Sequence, residues 1–175
     1  MPTKNTWIIY TDGSSDNLKI GRKNRIWGAD SPKKFTTPAH LGSTEIKCND
    51  FVLFVKGISA TTGGNPHGFR VDNVTKFLSF GPKTEAALAI RVTSDIYIDN
   101  SEIWPITKGE IYPYRFTFEE IYTLPGFDVA TLLTESVADA LRFSLIAPGR
   151  IYSIDYNELV NLNPVAFEQW QRSGH

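Results

Sequence analysis

The sequence predicts an α+β fold, a small and strongly curved β-sheet or barrel flanked by helices. Short runs rich in aromatic and β-branched residues fill the first two thirds of the chain and are separated by Gly, Pro, Asn and Asp turn signals. In the last third, apolar residues recur at helical spacing. The length of 175 residues fits one domain. A chain of this size buries roughly 70% of its unfolded surface, so its core needs neither disulfide nor metal. The expected organisation is a single domain over 1–175, with a core from about 6 to 124 and a helical C-terminal extension over 125–175.

Thr6–Thr11 (TWIIYT) reads as the first strand. Asp12-Gly13-Ser14-Ser15 is a turn that also offers an N-cap to a short helix over Asp16–Lys23, with Leu18 as its apolar contact and Gly21 weakening it. Pro32 and Pro38 break the next stretch, and Asn49-Asp50 turns the chain into a buried strand over Phe51–Ile58 (FVLFVKGI). Ala60 to Asn73 is rich in Gly, Asn and Pro and reads as a long loop, a length usually reserved for function or disorder. Ala86–Thr93 reads as a strand, although AALA alone suits a helix. Tyr112–Tyr122 alternates most clearly. Tyr114, Phe116 and Phe118 are expected on one face, Arg115, Thr117 and Glu119 on the other, with Pro113 at the strand's start. Val129, Leu132, Leu133, Val137 and Leu141 predict one helix over Asp128–Leu141. A last strand over Arg150–Asp155 follows, then a helix opened by Asn163-Pro164 and running to about Gln171.

Charge is nearly balanced, with 18 basic and 19 acidic residues, so any attraction to nucleic acid must come from local clustering. Cys48 is the only cysteine, and His40, His67 and His175 are scattered; neither an internal disulfide nor a metal site is expected, and no cofactor. No apolar run has the length of a signal peptide or a membrane span, which points to a cytoplasmic protein without a membrane partner, of bacterial or phage type. The P-loop, G-x-S-x-G and H-E-x-x-H patterns are all missing, and Glu119 and Glu120 fall on opposite faces of a strand. Binding is therefore expected rather than catalysis.

Two segments carry candidate binding chemistry. Between Leu18 and Lys34, the cations Lys19, Arg22, Lys23, Arg25, Lys33 and Lys34 oppose one acid, Asp30, and surround Trp27. Cations suit phosphate oxygens and an indole offers a flat face to a base. A solvated basic surface with a core tryptophan explains the same residues. In Ser94–Arg115 a tryptophan, Trp104, sits in a polar loop, where it can cap the core or form the wall of a pocket.

Four stretches resemble the EVE domain of the PUA-like superfamily, which also contains the YTH readers of methylated adenine. They are Asn17–Ala29 (NLKIGRKNRIWGA), Ile46–Lys56 (IKCNDFVLFVK, with Asn49 where glycine is usual), Ala89–Trp104 (AIRVTSDIYIDNSEIW) and Tyr112–Phe118 (YPYRFTF). The resemblance implies a PUA-like barrel that flips a modified base into an aromatic cage, often as the targeting module of a modification-dependent restriction nuclease, including EVE-HNH types. A flipped base costs a few kcal/mol, and stacking returns roughly 1–3 kcal/mol. Trp27 and Trp104 are the expected walls, with Tyr10 a third aromatic. Asp30 and Ser31, or alternatively Ser94 and Asp95, are placed to bond the base edge. Lys19, Arg22, Lys23, Arg25, Lys33 and Lys34 are the expected phosphate ligands, followed by Arg91 and Arg115. The expected partner is DNA carrying modified bases, 5-modified cytosine ahead of N6-methyladenine and DNA ahead of RNA, with a fused or associated nuclease. The competing readings are a B3-like barrel for unmodified DNA, a small ASCH-like hydrolase using Lys83, Thr84 and Glu85, and a protein-interaction module.

Overall fold

The computed structural model describes residues 5–60, 71–104, 111–147 and 149–174. The elements in chain order are β1 (Thr6–Thr11), α1 (Asn17–Asn24), β2 (Ile26–Ala29), 3-10 turns at Pro32–Phe35 and Ala39–Leu41, β3 (Phe51–Ser59), α2 (Val74–Ser79), β4 (Lys83–Val92), β5 (Tyr97–Ile98), β6 (Tyr114–Pro125), α3 (Val129–Leu132), α4 (Glu135–Ile146), β7 (Tyr152–Ile154), α5 (Tyr156–Leu162) and α6 (Pro164–Arg172). The strands form one curved sheet in the order β2-β6-β4-β3-β1-β7, with β5 also paired to β6. This is the α+β architecture the sequence predicts, and the sheet stays unclosed among the described strands. β1 and β3 are parallel, in a register running from Thr6 opposite Phe51 to Thr11 opposite Lys56. The other described pairings are antiparallel.

The sheet is buried on both faces, which is why β3 reads as an unbroken apolar run rather than an alternation. Phe51, Leu53 and Val55 face a helical layer that includes Val137, Leu141, Leu159 and Phe167. Val52 and Phe54 face the other side, with Trp7, Ile9, Leu18, Trp27, Phe35 and Phe116. Residues beyond 125 build much of the first core, and β7 pairs with β1.

Four local findings refine the sequence reading. Asp128–Leu141 is two helices, because Leu133 is extended and Thr134 caps α4, its hydroxyl accepting from the Val137 N–H. Helices α2 and α5, six and seven residues long, were not foreseen. They are too short for a periodic signal, and their caps, Asn73 and Asp155, are what start them. The alternation of β6 fails at Arg115, which is fully buried although it opposes an apolar face. Asn49, at the position where the resemblance expects glycine, has φ 77, and asparagine tolerates that left-handed backbone. Most of the long Ala60–Asn73 loop lies outside the described residues. Among the described residues no helix is long and apolar enough to cross a membrane.

Candidate functional site

A cavity of about 700 Å³ opens where β1 ends, between the Asp12–Asn17 turn, β2, Trp104, Tyr112 and Gly149. The size lies in the range of small-molecule and cofactor sites. The turn after β1 is tied internally, with Asp12 Oδ1 accepting from the Ser14 N–H and hydroxyl at 2.9 Å each. β2 pairs with β6 so that Trp27 lies opposite Phe116. Gly21, which weakens α1 as a helix, lets α1 lie close to this strand. A Cβ at Gly21 would stand 2.7 Å from the Ile26 carbonyl oxygen and 3.1 Å from the Trp27 ring.

Two largely buried indoles border the cavity, Trp27 at 9% and Trp104 at 3% exposure. The Trp27 and Trp104 rings are 6.2 Å apart and nearly perpendicular, at 81°. Tyr112 meets Trp104 at 5.9 Å and 89°. Edge-to-face contacts of this kind favour rigid walls. Trp27 also packs its ring on Phe54 at 5.2 Å, so part of it belongs to the core. The Trp104 Nε1–H donates to the Asn17 carbonyl at 2.9 Å, fastening the loop to α1. Gly28 permits the approach, since a Cβ there would lie 2.8 Å from the Trp104 ring.

The cavity's polar groups are mostly acceptors. Among the described residues, Asp12, Asp16 and Asp30 line it against one ammonium, that of Lys34. Burial, then the nearby Asp12 and Glu85 charges, push the Tyr10 phenol above its ordinary value, so it stays a neutral hydroxyl at physiological pH. Thr11 lines the same cavity, is 7% exposed, and has its hydroxyl buried without a partner among the described residues. A buried unpaired hydroxyl is costly and marks a place where a ligand can supply the missing bond.

Of the expected pocket residues, Trp27, Trp104, Tyr10 and Asp30 come together here. The other three are fastened elsewhere. Ser31 caps the Pro32–Phe35 turn by accepting from the Lys33 N–H, Ser94 Oγ accepts from the Thr117 N–H, and Asp95 Oδ1 accepts from the Cys48 N–H. Lys34 lines the cavity instead of a separate phosphate track, while Lys33 is exposed at the turn. Lys19, Arg22, Lys23 and Arg25 lie along α1 and its end, on the side away from the cavity. Arg91 is engaged by Glu119 at 2.6 Å and Asn49 at 2.8 Å.

Arg115 corrects the expectation that it meets phosphate. It is 0% exposed, and its guanidinium is consumed internally by the Tyr112 carbonyl, Ser101 and Asp99. Sequence reasoning missed Thr11, Asp12, Asp16, Tyr112 and Gly149. Tyr112 has φ 55, a left-handed backbone that no sequence pattern announces, and Gly149 arrives from far along the chain. Polar residues directly after a strand were the one available signal for Thr11 to Asp16. Among the described residues no group of three His, Cys, Asp or Glu is arranged to hold a metal ion.

No protein-family model matches the chain, and no curated protein does. Solved structures do. The YTH domain of Pho92 in complex with m6A superposes with a TM-score of 0.50 at 13% identity, over 94% of this chain and 84% of that one. The YTH domain of Zygosaccharomyces rouxii MRB1 in complex with N6-methyladenosine RNA gives 0.48 at 11% identity, over 95% and 88%. A hypothetical protein from Leishmania major gives 0.46 at 12%, over 95% and 96%. At these identities the Pho92 likeness establishes a YTH-like fold and nothing finer.

Proposed function

We propose that this domain binds nucleic acid and holds one modified base in the cavity between Trp27 and Trp104. The observation that carries the reading is the perpendicular indole pair, 6.2 Å between centroids, built from residues far apart in sequence that line one cavity. A base entering that cavity stacks on one ring and meets the edge of the other. The acceptor-rich lining of Asp12, Asp16 and Asp30 suits a base that presents an exocyclic N–H, as N6-methyladenine and the 5-modified cytosines do, and disfavours thymine-like edges. The Thr11 hydroxyl adds a donor or acceptor at the same place.

The likeness to a YTH domain solved with m6A brings N6-methyladenine to the front of the test, with 5-modified cytosine next. The EVE-like stretches support DNA as the partner and, more widely, the targeting of a modification-dependent nuclease. The role is read as binding, since the paired indoles and the acceptor lining fit recognition of a base. The test is a binding panel at fixed salt. It compares plain, N6-methyladenine, 5-methylcytosine, 5-hydroxymethylcytosine and glucosylated oligonucleotides as DNA, with N6-methyladenine also as RNA. One modification should bind at least tenfold tighter than its plain counterpart. Equal affinity throughout would leave a plain nucleic-acid binder of the B3 kind.

A further inference from the structure

A second concavity, of about 500 Å³, lies on the other side of α1 and, among the described residues, shares only Leu18 with the first. Its floor is the sheet, at Ala86–Leu88 of β4 and Thr123 of β6. Among the described residues five cations, Lys19, Arg22, Lys23, Arg25 and Lys56, line it with one carboxylate, Glu120, and Lys56 is also paired with Glu85 outside the lining at 3.9 Å. Lys56 comes from within β3, a strand otherwise almost wholly apolar. A register shift between Ala89 and Ile90 puts Ile90 opposite Glu120 and Ala89 opposite Tyr122, so Tyr122 joins the helical-side core while Glu120 faces the arginines of α1. Glu120 contacts Arg22 at 2.5 Å and Arg25 at 3.9 Å.

Arg25 is the second informative feature. It caps α1 in the left-handed region, φ 58 and ψ 36, where glycine is the usual and least strained choice. An arginine held there at a backbone cost keeps its side chain 57% exposed beside Glu120, which leaves its guanidinium accessible to a ligand.

We infer that this groove is a phosphodiester-binding site for the nucleotides that flank the base in the Trp27–Trp104 cavity, a proposal that rests on the nucleic-acid reading above. The two concavities are separated by one helix, about 10–12 Å across with its side chains. The phosphates in the groove therefore belong to neighbouring nucleotides and not to the one whose base is held. The charges divide the work: an acceptor-rich cavity repels phosphate and takes the base, and the cation-rich groove takes the backbone. In the free protein Glu120 keeps Arg22 and Arg25 aligned through partly exposed ion pairs, which are weak, and a phosphate forms the stronger forked bonds.

The experiment titrates the full chain with unmodified single-stranded oligothymidylate of fifteen nucleotides over a salt series, so that the groove is read without a modified base. Each phosphate contact contributes about 0.7 to the log–log salt slope. Arg25→Gly and Lys56→Ala should each lower the slope's magnitude by about 0.7. Arg25→Gly also relieves the left-handed backbone, so it should melt no earlier than wild type while binding more weakly. Glu120→Gln should tighten binding, and Lys76→Ala, on a helix packed against the opposite sheet face, should change nothing. A wild-type slope near zero, slopes of Arg25→Gly and Lys56→Ala equal to that of Lys76→Ala, or weaker binding by Glu120→Gln would overturn the groove. A groove that passes this test in a protein showing no preference for any modified oligonucleotide would refute the cavity reading alone.

Discussion

The Arg115 guanidinium lies 5.5 Å from the centroid of the Trp104 ring while it donates to the Tyr112 carbonyl at 3.1 Å and the Ser101 hydroxyl at 3.0 Å. One buried cation thus braces a wall of the cavity, the loop before it and the residue that leads into β6.

Replacing Arg115 with alanine should cost on the order of 3 kcal/mol, since buried carbonyls lose their donor at about 1–3 kcal/mol each. Lysine should rescue little, because a point charge cannot reproduce the fork. Urea unfolding measures both. The salt slope of nucleic-acid binding should be the same in wild type and in a folded Arg115→Lys protein, because a cation without exposure releases no counterions. A lowered slope would return Arg115 to the phosphate track.

Thr11→Val tests the unpaired hydroxyl. Valine keeps the shape and removes a buried polar group that has no partner among the described residues, so the melting temperature should hold or rise. Affinity for the preferred modified oligonucleotide should fall about two- to tenfold, the worth of one net hydrogen bond at roughly 0.5–1.5 kcal/mol. Unchanged affinity with raised stability would assign Thr11 to the fold alone.

Asp50 is a structural carboxylate whose Oδ2 accepts from the Trp7 Nε1–H at 3.0 Å and the Lys47 N–H at 2.8 Å. Burial pushes its carboxyl above the ordinary 3.8, against the lowering effect of those two bonds. A raised folded value means that the folded state holds the proton longer than the unfolded chain does. Its contribution is therefore fully present below the ordinary carboxylate value and is lost as pH rises through the raised one. Asp50→Asn keeps an acceptor oxygen without the charge, so the stability gap between wild type and Asp50→Asn should move against wild type from pH 3 to pH 7. Denaturant midpoints of both proteins across that range check the sign. Asp50→Ala should lose about 1–3 kcal/mol because the Trp7 donor is left unpaired, with the larger loss at the acid end of the range.

The strands were legible because their composition and turn signals agree with the final packing. The centre of TWIIYT and the whole of FVLFV are apolar because both faces of the sheet are covered, and Asn49-Asp50 marks the turn before the second. The helix over Asp128–Leu141 was misread as continuous because Leu133 fits the helical spacing although Thr134, a capping residue, restarts the helix. Trp27 was legible as a candidate because tryptophan amid cations is unusual, and it lines the cavity. Ser94 and Asp95 had the right chemistry for a base edge, but backbone N–H groups of Thr117 and Cys48 occupy them. Arg115 looked like a surface cation because strand alternation cannot register a loop folding over that face. The division of the basic segment by α1, with Lys34 at the cavity and Arg22 and Arg25 in the groove, depends on three-dimensional placement alone.

The most direct measurement of the central claim is the ratio of affinities for plain and modified oligonucleotides in wild type, Trp27→Phe and Trp27→Leu, taken with their melting temperatures. Trp27 serves both the core and the cavity, so alanine would confuse the two roles, whereas leucine keeps apolar bulk against Phe54 and removes the flat face. If a base stacks there, Trp27→Phe keeps most of the selectivity and Trp27→Leu loses roughly 1–3 kcal/mol of it, about five- to 150-fold, with binding to the plain strand largely retained. A selectivity ratio that Trp27→Leu leaves at the wild-type value, or one that falls only in step with the melting temperature and with plain-strand binding, would contradict the account.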